Sequence, residues 1–88
     1  MKTQTVTTIS YENAMQARIL YSNLRALDDL LLTIPHYPEK AHLLSEIEND
    51  KEHVRIKISE WWEMIAEITG KTFSEDAEVK FDMSIIID

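Results

Sequence analysis

The chain has 88 residues, a net charge of −7 and no cysteine, and its length suits one small domain. The lack of cysteine excludes disulfides and thiolate metal sites, and the excess of carboxylates makes the chain a poor binder of duplex nucleic acid. The N-terminus lacks the apolar region of a signal peptide, and no stretch reaches the roughly 18 apolar residues of a membrane span. We therefore expect a cytoplasmic protein that contacts no membrane.

The first predicted elements are a short strand and a helix. Threonine and other β-branched residues dominate the stretch TQTVTTIS, which predicts a strand over residues 1–9. A helix over residues 11–34 follows, with Ser10 as its N-cap, and Pro35 ends it. Its apolar residues recur at spacings of three and four and form one stripe: Ala17, Leu20, Leu24, Leu27, Leu31 and Ile34.

A second, longer helix is predicted over residues 38–69. Pro38 suits its first turn, where no N–H is needed, and Gly70, the sole glycine, suits its C-cap. Only Lys51 interrupts the apolar stripe, which contains Leu44, Ile47, Val54, Ile58, Trp61, Ile65 and Ile68. A loop centred near His36 makes the two helices an antiparallel hairpin, in which residues whose numbers sum to about 72 should lie level.

The last segment, residues 77–87, alternates apolar and polar side chains and predicts a strand. This strand could pair with the N-terminal strand within the chain or between chains. A two-stranded ribbon is marginal by itself, so it must pack on the helices or extend across a dimer. The predicted fold is mainly α: an antiparallel two-helix hairpin with a long second helix, plus short N- and C-terminal β-strands, in one domain of residues 1–88.

The two tryptophans are adjacent, and one apolar stripe has difficulty burying both, because neighbouring helical residues point about 100° apart. Trp61 lies on the stripe and is expected in the core. Three environments stay open for Trp62: packing under the C-terminal strand, a subunit interface, or a stacking platform for a ligand. Other apolar residues fall off the stripes and indicate a second apolar face and a homo-oligomer: Ile19, Leu30, Ile56 and Met64.

Basic and aromatic residues are predicted to gather along one edge of the hairpin. Arg18 and Arg25 are seven residues apart and share a helix face, and the predicted pairing brings Lys51 and Arg55 to that face from the second helix. Guanidinium groups bind phosphate bidentately and aromatic rings stack on bases, so this cluster suits an anionic nucleotide. The candidate ligand-binding residues are Tyr11, Arg18, Tyr21, Arg25, Arg55 and Trp62.

Two further interpretations limit this hypothesis. The basic residues could instead do no more than pair with neighbouring carboxylates such as Asp28, Glu48 and Glu52. Nothing in the sequence predicts catalysis, since the histidines are scattered and no nucleophile–base pair, phosphate-binding loop or zinc signature is present. We therefore expect a protein that is not an enzyme and that has neither a metal nor a cofactor.

The stretch LRALDDLLLTIPHYPEKAHLLSEIENDKEHV combines a leucine-rich helix, a proline, then EK, then a leucine and EIE. With this spacing it resembles the helical hairpin shared by small phage proteins that sequester cyclic-nucleotide signals. These proteins are sponges that blunt CBASS, the bacterial anti-phage defence based on cyclic oligonucleotides. The resemblance covers roughly residues 20–58.

The resemblance implies a homo-oligomer that binds a cyclic dinucleotide, or a trinucleotide, between its subunits and does no chemistry. It also implies ligand contacts near the start of the hairpin, where Tyr11, Arg18 and Arg25 are the available residues. A phage-encoded protein of this kind would act in the host cytoplasm. The net charge also allows an alternative function, an acidic inhibitor of anti-CRISPR, antitoxin or immunity type that caps a basic site on a host protein. A third alternative is an interaction module without a ligand.

Overall fold

A computed structural model describes residues 4–35 and 37–88 of the protein. The elements in chain order are β1 (Val6–Thr8), α1 (Tyr11–Thr33), one 3-10 turn (Pro38–Lys40), α2 (Ala41–Thr69), β2 (Glu78–Lys80) and β3 (Ile85–Ile87). The predicted fold class is confirmed, because two helices of 23 and 29 residues are accompanied by short strands near both ends. Residues 1–3 of the predicted first strand, and His36 of the predicted loop, lie outside the described residues.

The helix ends follow local sequence signals. The Ser10 side chain accepts a hydrogen bond from the Asn13 backbone N–H at 3.1 Å and so caps α1. Gly70 ends α2 in the left-handed conformation, with φ of 66°, as its position in the sequence predicts. Pro38 begins the 3-10 turn, and the α-helical part of the predicted second helix starts three residues later, at Ala41.

The side-chain contacts between the helices agree with the predicted register only in part, since Trp61 reaches Asn13, close to the predicted sum of 72. A sum of 72 would place Lys51 level with Tyr21, whereas Lys51 Nζ contacts the Asp28 carboxylate and Tyr21 contacts Trp62. The predicted proximity of Lys51 to Tyr21 is therefore not observed, because the pairing rule treats the connection as symmetric about residue 36. The 3-10 turn lengthens the connection on one side, so α2 begins only at Ala41 and is displaced along α1.

The three strands form one antiparallel sheet in the order β1-β3-β2. Thr7 of β1 and Val79 of β2 both pair with Ile86 of the central strand, so the N-terminal strand pairs within the chain. The single strand predicted over residues 77–87 is wrong, because the chain reverses between Lys80 and Ile85. The alternating pattern misses this reversal because Phe81, although it lies in the turn, is half-buried like a strand residue.

The sheet packs on the end of the hairpin where α1 begins and α2 ends. The buried core there consists of Ile9, Ala14, Ala17, Trp61, Ile65 and Ile86. Trp61 is 5% exposed and its indole N–H donates to the Asn13 carbonyl oxygen at 3.0 Å, which confirms the predicted core position. Within the described ranges, no helix has the length and apolar character needed to cross a membrane.

Candidate functional site

A groove of about 420 Å³ lies between α1, α2 and the segment that contains β2. This volume lies within the range of about 300–1,000 Å³ that is usual for small-molecule sites. We call it the basic groove, and its lining residues are Arg18, Tyr21, Ser22, Arg25, Trp62, Ala77, Glu78, Val79 and Phe81. Four of the six candidate residues named from the sequence therefore lie around one cavity.

Helix α1 supplies one wall of the basic groove. Arg18, Tyr21, Ser22 and Arg25 are separated by three, four and seven residues, and such spacings place side chains on the same helix face. The two arginines are seven residues apart in the sequence, which corresponds to about 10.5 Å along the helix axis. Both arginines are exposed at the surface. The wall thus presents two separated positive charges with a tyrosine and a hydroxyl group between them.

Trp62 forms the end of the basic groove and is held by three neighbouring side chains. Its indole N–H donates to the Tyr21 hydroxyl oxygen at 2.8 Å. Its ring lies edge-on to Trp61, with centroids 4.9 Å apart, and 5.6 Å from the ring of Phe73. Trp62 therefore packs against the C-terminal segment and still presents a half-buried aromatic surface to the groove.

The electrostatics distinguish Arg18 and Arg25 from the neighbouring basic residues. Asp28 contacts Lys51, Glu52 lies 3.7 Å from Arg55, and Glu78 lies 3.3 Å from Lys80. Two of these, Asp28 and Glu52, are carboxylates that the sequence offered as partners for the basic residues. In residues 4–35 and 37–88, no ion pair involves Arg18 or Arg25.

Two of the candidate residues do not line the basic groove. Tyr11, the first residue of α1, is 70% exposed and lies outside the lining. Arg55 lies beside Glu52 on its own helix and does not line the groove, so the expected approach to Arg18 is not observed.

Sequence reasoning missed Ser22 and the contribution of the C-terminal segment. Ser22 could have been found, since it lies four residues after Arg18 and three before Arg25. Ala77, Glu78, Val79 and Phe81 had no comparable signal, because their place depends on the reversal before β3.

A second cavity, of about 350 Å³, shares Tyr21, Trp62 and Ala77 with the basic groove. We call it the acidic cavity, because Glu63 and Glu75 line it together with hydroxyl groups from Ser59, Thr72 and Ser74. The Tyr21–Trp62 pair thus separates a surface that attracts anions from a surface that repels them.

Nothing in the described part of the chain groups three or more histidine, aspartate or glutamate residues in a way that could hold a metal ion. Comparison with protein-family models, curated proteins and solved structures finds no significant match. The charged and aromatic groups of the basic groove suit recognition of an anion with an attached ring.

Proposed function

We propose that this chain is a small phage-type counter-defence protein that sequesters a cyclic oligonucleotide signal without chemistry. The observation that carries the proposal is the pair of arginines, free of ion pairs among the described residues, beside the Tyr21–Trp62 contact. Guanidinium groups bind phosphates through paired hydrogen bonds, and aromatic rings stack on bases. Both kinds of contact are available within one groove.

The arrangement of charges favours a ligand with more than one phosphate. Arg18 and Arg25 are about 10.5 Å apart along the helix axis, so their guanidinium groups can each contact a different phosphate of one ligand. A cyclic dinucleotide or trinucleotide carries two or three phosphates in one ring. Glu63 and Glu75 in the acidic cavity repel phosphate, which orients the phosphates toward the arginines and the bases toward the Tyr21–Trp62 pair.

The test is isothermal titration of the purified protein with a panel of cyclic dinucleotides and trinucleotides. We expect saturable heat with at least one of them, and weaker binding of the corresponding cyclic mononucleotide, which has one phosphate. The mononucleotide is the matched control, because it keeps the base and removes the second charge. The absence of heat from every cyclic oligonucleotide at about 100 μM protein would contradict the proposal.

A second candidate function is an acidic inhibitor that caps a basic site on a host protein. The observation that favours it is an exposed stripe on α2 formed by Glu60, Glu63 and Glu67, none of which has an ion pair among the described residues. Such a stripe could contact a basic protein surface without any ligand in the groove.

The two functions make opposite forecasts for the arginine variants in a plaque assay of phage on a host that carries a cyclic-oligonucleotide defence. If the protein is a sponge, it no longer protects the phage when Arg18 and Arg25 are changed to alanine, and it still protects the phage when Glu67 is changed to lysine. An acidic inhibitor tolerates both arginine changes and loses protection when Glu60, Glu63 and Glu67 are all reversed to lysine.

A further inference from the structure

The side of the hairpin turned away from the basic groove carries an uncovered apolar surface. A cavity of about 520 Å³ there is lined by Ile19, Leu20, Trp61 and Met64, with Lys57 and Glu60 beside them. Glu60 and Trp62 point about 160° apart on α2, and so do Ile19 and Tyr21 on α1. We call this surface the second apolar face, and it lies opposite the basic groove.

Large apolar side chains on and beside this face remain in contact with solvent. Ile19 is 60% exposed, and Ile56 and Leu30 are each 46% exposed. These are three of the four residues that fell off the main apolar stripes, and the fourth, Met64, lines the cavity. Exposed apolar surface of this kind usually marks a protein contact.

The chain exposes more surface than a compact protein of its mass. The chain exposes 6680 Å², whereas a compact protein of 10.3 kDa exposes about 5,400 Å². The excess of about 1,300 Å² exceeds the roughly 800 Å² that each partner buries in a standard interface. A second copy of a chain this size can cover such an area.

The charges on the second apolar face are self-complementary. Lys57 and Glu60 have opposite signs, and no ion pair involves either of them in the ranges the structure describes. In a contact with two-fold symmetry, Lys57 of each copy can lie opposite Glu60 of the other. Ile19 protrudes beside its own cavity and can enter the cavity of the partner, as in ordinary helix packing.

We infer that a second copy of this chain docks on the second apolar face, so that the two hairpins form a four-helix bundle with two-fold symmetry. This inference does not depend on the proposed nucleotide site. It leaves both basic grooves on the outside of the dimer.

The first test is sedimentation equilibrium of the full chain at micromolar concentrations. We expect a dimer for the wild type and at least a tenfold weaker association for Ile19→Glu, because the interface would bury an unpaired carboxylate. The matched control is Leu32→Glu, which makes the same change of charge at a residue that is 84% exposed on the other side of α1. A monomeric wild type, or an equal effect of both changes, would overturn the inference.

The second test is charge exchange across the two-fold axis. Lys57→Glu and Glu60→Lys should each weaken the dimer, although they change the net charge in opposite directions. The double variant should regain the dimer dissociation constant of the wild type, since each new lysine again faces a glutamate of the partner. Two single variants with no effect, or a double variant as weak as the singles, would show that this face is not the interface. Circular dichroism of each variant verifies that the helices are intact.

Discussion

Arg18 and Arg25 differ from other basic residues of the hairpin in having no carboxylate partner among the described residues. Lys51 contacts Asp28 and Arg55 lies near Glu52, so those cations are already partly neutralised. Keeping a guanidinium group available beside an aromatic pair has no evident stabilising role for the fold. The two arginines are therefore the residues at which binding and stability can be separated most cleanly.

We expect Arg18→Ala and Arg25→Ala each to weaken binding of the tightest cyclic oligonucleotide by roughly 1.5–3 kcal/mol, the range for a lost hydrogen bond to a charged group. This corresponds to about a 10- to 150-fold increase in Kd. Neither variant should lower the melting temperature much, because both side chains are exposed. Titration calorimetry measures the first effect and thermal unfolding the second.

Lys40→Ala is the matched control for the arginine variants, because Lys40 is exposed and lies at the other end of the hairpin, in the 3-10 turn. It removes one positive charge without altering the groove and should leave Kd within about twofold. Equal losses from all three variants would indicate a general effect of net charge and would contradict a specific site.

The adjacent tryptophans have different roles because each indole N–H has its own acceptor. Trp61 points into the core and donates to the Asn13 carbonyl oxygen, whereas Trp62 donates to the Tyr21 hydroxyl oxygen. The T-shaped contact between the rings joins the core to the wall of the basic groove. One helix can therefore hold two neighbouring indoles because the C-terminal segment, through Phe73, covers the second one.

At the scale of whole elements, the end of α2 depends on one backbone conformation. Gly70 has φ of 66°, and a Cβ atom added there would meet no heavy atom within 4 Å. A side chain at this position would therefore be disfavoured by the left-handed backbone and by nothing else.

We expect Gly70→Ala to lower the free energy of unfolding by about 1 kcal/mol, because an L-residue with a Cβ is strained in the left-handed region. Gly70→Asn should cost less, since asparagine adopts this conformation more readily. Urea denaturation at one fixed protein concentration measures both, because any self-association makes the stability depend on concentration. An alanine variant as stable as the wild type, or an asparagine variant less stable than alanine, would contradict this account.

The elements differ in how far the sequence determines them. The helices could be predicted because each combines a long apolar stripe with end signals at Ser10 and Gly70. The Arg18 and Arg25 face could be predicted because it lies within one helix. The approach of Arg55 could not, because it depends on the length of the connection, and the hairpin of β2 and β3 could not, because alternation does not reveal where a strand reverses.

At the scale of the whole molecule, the hairpin is too extended to bury its own apolar residues. The molecule measures 49 × 28 × 21 Å and has a radius of gyration of 16.0 Å, compared with about 12 Å for a compact chain of this length. The sheet covers only one end of the hairpin, where the main core lies. Two opposite surfaces are left uncovered, of which one is basic and aromatic and the other is apolar with charges of both signs.

Because these surfaces lie on opposite sides of the helices, we expect the proposed dimer and the proposed nucleotide site to be independent. Ile19→Glu should dissociate the dimer and leave Kd for the tightest cyclic oligonucleotide within about twofold, since a coupling free energy requires that each event alter the other's contacts. Sedimentation of the wild type with saturating ligand should give two ligands per dimer. The resemblance to phage sponges implies the opposite arrangement, in which the ligand is held between subunits. Ile19→Glu would then abolish both dimerisation and ligand binding. Parallel titration of the wild type, Ile19→Glu and the Leu32→Glu control decides between the two arrangements. The affinity for the ligand should fall on loss of the dimer only if both subunits contribute to the ligand site.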